Sequence, residues 1–282
     1  MAAESGGNLA EPARVGALLA GAAARGVARL DAELLLAALL RVSRAQLIAF
    51  DEREVDALTC AMFEVGLARL ADGEPLSYIT GVREFWSLPL SVAPGVLVPR
   101  PETELLVERC LAELDASPRR VADLGTGSGA IALALARERP AWQVIATDRS
   151  AEALEIAAVN CRRLRIDNVE LRQGSWCEPL AGERFDAILS NPPYIAPGDA
   201  ALPALRHEPI QALVADDEGF ADLLQIARAA RAHLKPGGLL LMEHGAGQSP
   251  RLLEELARLG YRDAASHPDL AGHDRVVQAV WP

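Results

Sequence analysis

At 282 residues, half of them hydrophobic and 24% charged, the chain has room for one large domain and a smaller companion, and its balance is that of a folded protein. The net charge of −11, with Lys235 the only lysine, argues against a duplex nucleic-acid partner, since gripping a phosphate backbone takes clustered Lys and Arg. Met1 to Gly7 lacks the basic and apolar regions of a leader, and apolar stretches such as 33–40 and 237–242 fall well short of the roughly 20 residues that span a bilayer, so a cytoplasmic protein is expected. Cys60, Cys110, Cys161 and Cys177 include no Cys-x-x-Cys, and the five histidines have no ligand spacing, so no metal is predicted.

Residues 13–24, 31–42 and 55–71 repeat apolar side chains at helical spacing, and no strand signal interrupts them. Asp51 is placed as an N-cap with Glu54 three residues on, while Gly73 and Pro75 close the third helix. Residues 1–81 therefore read as a small helical domain. Between 82 and 101, β-prone pieces at 84–86 and 96–98 are broken by Pro89, Pro94, Gly95 and Pro101, which predicts a hairpin-like linker. From 102 to 282, strand candidates at 120–124, 143–147, 169–172, 185–190, 238–243 and 276–281 alternate with helices at 103–114, 131–137, 151–164, 220–234 and 250–259. Such alternation predicts an α/β domain whose mainly parallel sheet is covered on both faces.

Asp123-Leu124-Gly125-Thr126-Gly127-Ser128-Gly129 follows a strand and opens a helix, where glycines let a ligand approach the backbone. Asp148 ends the next strand, 23 residues after Gly125, in the place of an acid that accepts from both ribose hydroxyls. The glycines alone also fit a dinucleotide dehydrogenase. Asp123 tilts the reading toward S-adenosylmethionine, because a carboxylate suits its ammonium and sulfonium but would repel a pyrophosphate. Trp176, after the third strand, is placed either against an adenine ring or in the core. Trp86, Trp142 and Trp281 are assigned to packing.

Asn191-Pro192-Pro193-Tyr194 follows a buried strand at the carboxyl edge. Two prolines donate no backbone hydrogen bond and hold φ, so the segment is a stiff set of acceptors. An amide or aromatic amino nitrogen has a delocalised lone pair. The Asn191 side-chain oxygen and the Pro192 carbonyl can each accept one of its N–H groups and aim that lone pair at a methyl group, with Tyr194 stacked on the planar substrate. No strong base is required, because the nitrogen becomes acidic once methylated. Glu243-His244-Gly245, at another strand end, is a further candidate for the pocket lining.

These residues resemble the HemK/PrmC family, the glutamine-N5 methyltransferases of peptide-chain release factors. The resemblance rests on Glu84-Phe85-Trp86-Ser87-Leu88-Pro89-Leu90, Val98-Pro99-Arg100-Pro101-Glu102-Thr103-Glu104, Asp123 to Gly129, Asn191 to Tyr194 and Lys235-Pro236-Gly237-Gly238. It implies a class I methyltransferase domain, a Rossmann-like seven-stranded sheet with its last strand antiparallel, behind a helical domain that helps hold the release factor. It also implies that Asp123, Gly125 to Gly129, Asp148, Trp176 and Asn191 form the S-adenosyl-L-methionine site, which S-adenosyl-L-homocysteine occupies after transfer. Asn191, Pro192, Pro193 and Tyr194 would then hold the glutamine of a Gly-Gly-Gln loop, with Arg100 and Glu102 near the cofactor pocket. No membrane or direct nucleic-acid partner is expected, and a monomer is favoured. The rival readings are a methyltransferase of a ribosomal-protein glutamine and an adenine-N6 or guanine-N2 methyltransferase. A cofactor-sensing binding protein is a third.

Overall fold

The computed structural model describes residues 12–282, so the expectation about residues 1–7 lies outside it. The chain divides into two compact units, one ending at Gly81 and the other Val82–Pro282. Among the described residues, no helix is long and apolar enough to cross a membrane.

The first unit packs helices Val15–Ala24, Arg29–Leu40, Arg44–Ala49, Ala57–Ala71 and Leu76–Thr80 around Val15, Leu35, Leu36, Phe63 and Leu67. It also contains a strand pair, β1 (Ala13–Arg14) and β2 (Glu54–Val55), where helix was expected. Asp51 does not start the long helix, because its carbonyl accepts from Gly16 N at 2.9 Å and Glu54 and Val55 pair with Arg14 and Ala13. The capping box instead joins Ser43 and Gln46, and Asp56 caps the long helix by accepting from Thr59 N at 2.9 Å.

The second unit opens with the hairpin β3 (Val82–Phe85) and β4 (Leu88–Ser91). Trp86 and Ser87 turn it at φ of 52° and 59°, the left-handed conformation of two-residue hairpin loops. The expected second strand at 96–98 does not form. Val98 N instead donates to the Glu208 carboxylate at 3.0 Å, which leaves Val96 and Leu97 as irregular backbone. The buried faces of the hairpin, Phe85, Leu88 and Leu90, belong to the core of this unit.

The main sheet contains β5 (Arg120–Leu124), β6 (Gln143–Asp148), β7 (Val169–Gln173), β8 (Phe185–Ser190), β9 (Leu234–Glu243), β10 (Arg262–Pro268) and β11 (Asp274–Val280). Their order is β7-β6-β5-β8-β9-β11-β10. The first five run parallel and β11 is antiparallel to both its neighbours. This is the class I methyltransferase sheet that the resemblance implies. Alternate residues feed opposite apolar layers: Val144 and Ala146 join Leu133 and Trp142 on one side, and Ile145 joins Phe185 and Leu223 on the other. The strand β10 was not expected. Its sequence, Arg-Asp-Ala-Ala-Ser-His-Pro, has no apolar alternation, and as the edge strand it needs none. The chain runs outward from β5 to β7 and then crosses back to β8, which puts the switch point at the carboxyl ends of β5 and β8.

Candidate active site

Three glycines shape the turn after β5. Gly125, Gly127 and Gly129 have φ of 73°, 54° and 87°, a region that side chains rarely occupy. Gly125 N and Thr126 N donate to Thr147 O at 2.8 and 2.9 Å, so the loop is tied to β6 by its backbone. Gly127 N donates to Asp148 Oδ2 at 2.9 Å and Ser150 N to Oδ1 at 2.9 Å, which fixes the plane of that carboxylate. A Cβ on Gly125 would stand 2.8 Å from Trp176 Cζ3, so the indole lies directly against the loop, and its side chain also hydrogen-bonds Asp222.

A cavity of about 460 Å³ opens over this edge, within the usual size of small-molecule sites. Gly125, Thr126, Gly127, Ser128, Asp148, Trp176, Asn191 and Pro193 line it, facing Val96, Pro99 and the 209–216 stretch. Asp123, Gly129, Pro192 and Tyr194 are not among its walls, nor are Arg100, Glu102, Glu243 and His244. Asp123 is fully buried beneath the loop, where Oδ2 accepts from Thr126 Oγ1 at 2.6 Å and Ala132 N at 3.1 Å. Its Oδ1 has no partner, and burial pushes its carboxyl up to about 7. Asp123 is thus bonded to the loop that lines the cavity and is not itself on the wall.

The chemical edge is built differently. Ser190 Oγ donates to Leu124 O at 2.7 Å and anchors the end of β8. Beyond it, Asn191 Nδ2 donates to Thr103 Oγ1 at 3.0 Å, and Thr103 Oγ1 donates to Glu243 Oε2 at 2.6 Å. The Tyr194 hydroxyl donates to Glu243 Oε1 at 3.0 Å, so the phenol is held by Glu243 instead of standing on a cavity wall. Burial raises the Glu243 pKa and the two hydroxyl donors partly offset that; burial, followed by the Glu243 charge, raises that of Tyr194. Gln248 Nε2 donates to Tyr194 O at 3.1 Å while its Oε1 accepts from Gly245 N at 2.8 Å. His244 is buried, donates from Nδ1 to Gly245 O at 2.9 Å, and has its pKa lowered by burial.

Four supporting residues were not anticipated from the sequence in these roles: Thr103, Asn160, Glu208 and Gln248. Asn160, fully buried in the helix Ala151–Leu164, accepts from Ser91 N at 2.6 Å and donates to Ser128 O at 2.9 Å, linking the hairpin to the glycine loop. Glu208 joins Val98 N and Arg100, which is where the Arg100 guanidinium is spent. A polar residue inside an apolar helical stripe was the available signal for Asn160; the others are ordinary turn and helix-start residues.

Residues 101–257 match the methyltransferase small domain and residues 15–81 match the PrmC N-terminal domain. A release factor glutamine methyltransferase of Escherichia coli is 45% identical over 251 residues, 88% of this chain and 91% of the relative. Its counterpart in Xylella fastidiosa is 48% identical over 269 residues, 94% of this chain and 98% of the relative. This chain belongs to the release factor glutamine methyltransferase family. Among solved structures, the Thermus thermophilus 16S rRNA N2 G1207 methyltransferase, in complex with AdoMet and guanosine, superimposes with a TM-score of 0.54 at 22% identity. That match covers 71% of this chain and 50% of the other. A Pyrococcus furiosus methyltransferase gives 0.53 at 19% identity, covering 76% and 96%. At these identities the two structures support the fold alone, whereas the family membership rests on the sequence relatives and extends over both units.

Proposed function

We propose that this chain transfers the methyl group of S-adenosyl-L-methionine to the side-chain nitrogen of a glutamine in a peptide-chain release factor, the glutamine of a Gly-Gly-Gln loop. The observation that carries the reading is the state of Asn191. Its NH2 group is committed to Thr103 at 3.0 Å, and its oxygen is left as an acceptor on a wall that continues into the Asp148 cradle.

The cavity residues fit the cofactor. Asp148 has both oxygens fixed by backbone donors with lone pairs to spare for ribose hydroxyls, Trp176 offers a flat apolar face, and the left-handed glycines leave the loop bare of side chains. The orphaned Asp123 Oδ1 adds negative potential beneath the loop when its carboxyl is ionised, which favours a cationic ligand. When bound, the cofactor supplies an electrophilic methyl group on a positively charged sulfur. The chain supplies orientation. Asn191 Oδ1 and the Pro192 carbonyl accept the two amide N–H groups and turn the nitrogen lone pair out of conjugation, toward the methyl group. Pro192 and Pro193 contribute no N–H to compete and keep those acceptors stiff. The proton leaves after methylation, when the nitrogen is acidic, so no side chain has to act as a strong base.

Residues 1–81 are read as the docking domain, residues 82–101 as the segment that shapes the mouth of the cavity, and 102–282 as the catalytic domain. Leu58, Met62 and Val65 support the first assignment: on helix Ala57–Ala71 they fall at four- and three-residue spacing and are 65%, 51% and 63% exposed, an apolar stripe suited to a protein partner. Low lysine content and the net charge of −11 weigh against a nucleic-acid substrate. The test is transfer of labelled methyl from S-adenosylmethionine to a purified release factor, beside the same factor with its Gly-Gly-Gln glutamine replaced by alanine. Label on the first alone is expected. Equal label on both would sink the assignment of the acceptor, and label on neither, with the cofactor bound, would sink the assignment of the substrate.

A further inference from the structure

Glu243 is not a wall of the cavity, yet both ends of the Asn191–Tyr194 segment converge on it. Tyr194 reaches Oε1 directly at 3.0 Å, and Asn191 reaches Oε2 through the Thr103 hydroxyl, at 3.0 and then 2.6 Å. Glu243 and Thr103 are 1% and 3% exposed, and Thr103, unlike Glu243, also lines the cavity.

The hydroxyl of Thr103 has a single hydrogen, whereas an ionised carboxylate can only accept. With Glu243 ionised, that hydrogen belongs to Oε2, and the Thr103 oxygen can only accept from its other neighbour. It thereby selects the NH2 end of the Asn191 amide and leaves Oδ1 as the open acceptor. In the opposite amide orientation, Thr103 would have to donate to Asn191 Oδ1, and a buried carboxylate oxygen would lose its donor, which burial penalises. The flipped amide would also meet the N–H groups of a substrate with N–H groups of its own.

We infer that Glu243 and Thr103 are positioning residues for methyl transfer: a one-way chain of hydrogen bonds from the carboxylate through the hydroxyl orients the Asn191 amide so that its oxygen receives the substrate N–H. The inference deepens the proposed function and rests on it. Neither residue is placed on the reacting atoms, so their effect is on orientation. Protonation of Glu243 cancels the direction of the chain, because a carboxylic acid can donate to Thr103 and free that hydrogen to turn toward Asn191. Burial is the largest influence and raises the Glu243 pKa, with Glu102 beside Thr103 adding to it; the Thr103 and Tyr194 hydroxyls and then Arg275 on β11 favour the ionised form.

The experiment compares wild type with Thr103→Val, Thr103→Ser and Glu243→Gln in steady-state methylation of the release factor, with cofactor affinity by calorimetry and folding by circular dichroism. Thr103→Val keeps the shape without the hydroxyl and is expected to lose on the order of 10²-fold in kcat, the scale of a misplaced reactive group, with KM and cofactor affinity near wild type. Thr103→Ser restores the hydroxyl and most of the rate. Glu243→Gln lowers kcat and flattens the fall in rate that wild type shows as pH drops. In cofactor-free protein labelled with 15N-asparagine, the Asn191 side-chain amide pair shifts in Thr103→Val and in Glu243→Gln but not in Thr103→Ser. Wild-type turnover by Thr103→Val, or a serine variant as impaired as the valine one, overturns the inference. If wild type itself fails to methylate the factor, the proposed substrate falls. The amide pair, which needs no substrate, then decides this orientation by itself, and its failure to move in Thr103→Val overturns it.

Discussion

The two sides of the cavity are held by different means. On the β5–β6 side the glycine loop is tied to β6 first by backbone pairs, Gly125 N and Thr126 N to Thr147 O, with the side chains of Asp123, Asp148 and Asn160 adding to them. On the β8–β9 side the Asn191–Tyr194 segment is held by the side chains of Thr103, Glu243 and Gln248, which come from two parts of the chain, the turn at 101–103 and the end of β9 with the residues just after it. The backbone part of that cradle tolerates most substitutions except at its glycines. A side-chain cradle fails when one distant atom is removed. Cofactor binding and methyl transfer should therefore separate cleanly under mutation.

The sharpest separation is expected from Asn191→Ala. It removes the substrate acceptor and should lower kcat by roughly 10² to 10³-fold, as loss of an oriented transition-state hydrogen bond does, while calorimetry finds cofactor affinity little changed. Normal turnover by this variant would break the contrast. Gly219→Ala should act on the same side through the backbone. Gly219 has φ of +88°, and an added Cβ would lie 2.1 Å from Tyr194 O, a backbone atom that cannot swing aside. A loss of about 1–3 kcal/mol in chemical denaturation is expected, together with a fall in kcat that exceeds any change in cofactor affinity. On the other side, Asp148→Ala should weaken cofactor binding by roughly 10-fold or more, the scale of losing charge-assisted hydrogen bonds, and unchanged affinity in a titration would remove the ribose assignment.

The smallest effect concerns Asp123, and its sign follows from linkage. The carboxyl titrates near 3.8 as a free group and near 7 in the fold, where burial outweighs its bonds to Thr126 and Ala132. Between those values the unfolded chain has released the proton that the fold retains, so the stability contribution is full below about 3.8 and is lost as pH rises through about 7. Asp123→Asn should accordingly raise Tm relative to wild type above pH 7, with the difference shrinking as pH falls toward 4. A Tm difference independent of pH would show that burial does not hold this carboxyl high.

The same contrast explains what could be read in advance. The parallel strands announce themselves as apolar runs because both their faces are covered, and the glycine loop because only glycine suits its three left-handed positions. Asn191 to Tyr194 was legible because two prolines after an asparagine at a strand end leave few other conformations. By contrast β10 lies at an edge and carries no buried face to mark it, and the hairpin turn at Trp86-Ser87 lacks the glycine or asparagine that usually signals positive φ. Glu243 was marked only by its place at a strand end and Thr103 by nothing local in this role, since each acquires its partner only through the tertiary fold.

The bonds that complete the site also set when it can exist. Asn191 to Thr103 spans 88 positions, Val98 to Glu208 spans 110 and Thr103 to Glu243 spans 140. Closing such long loops carries an entropy cost that is recovered only once the sheet holds both ends together, so these contacts belong late in folding. A nascent chain that has reached Asp148 already holds the acidic residue and the whole glycine loop, but it has neither Asn191 nor Glu243. During synthesis, then, the first half of the cofactor cradle emerges before Trp176 and before the means of aiming a methyl group, and a prematurely terminated product lacks the part that would make it a methyltransferase.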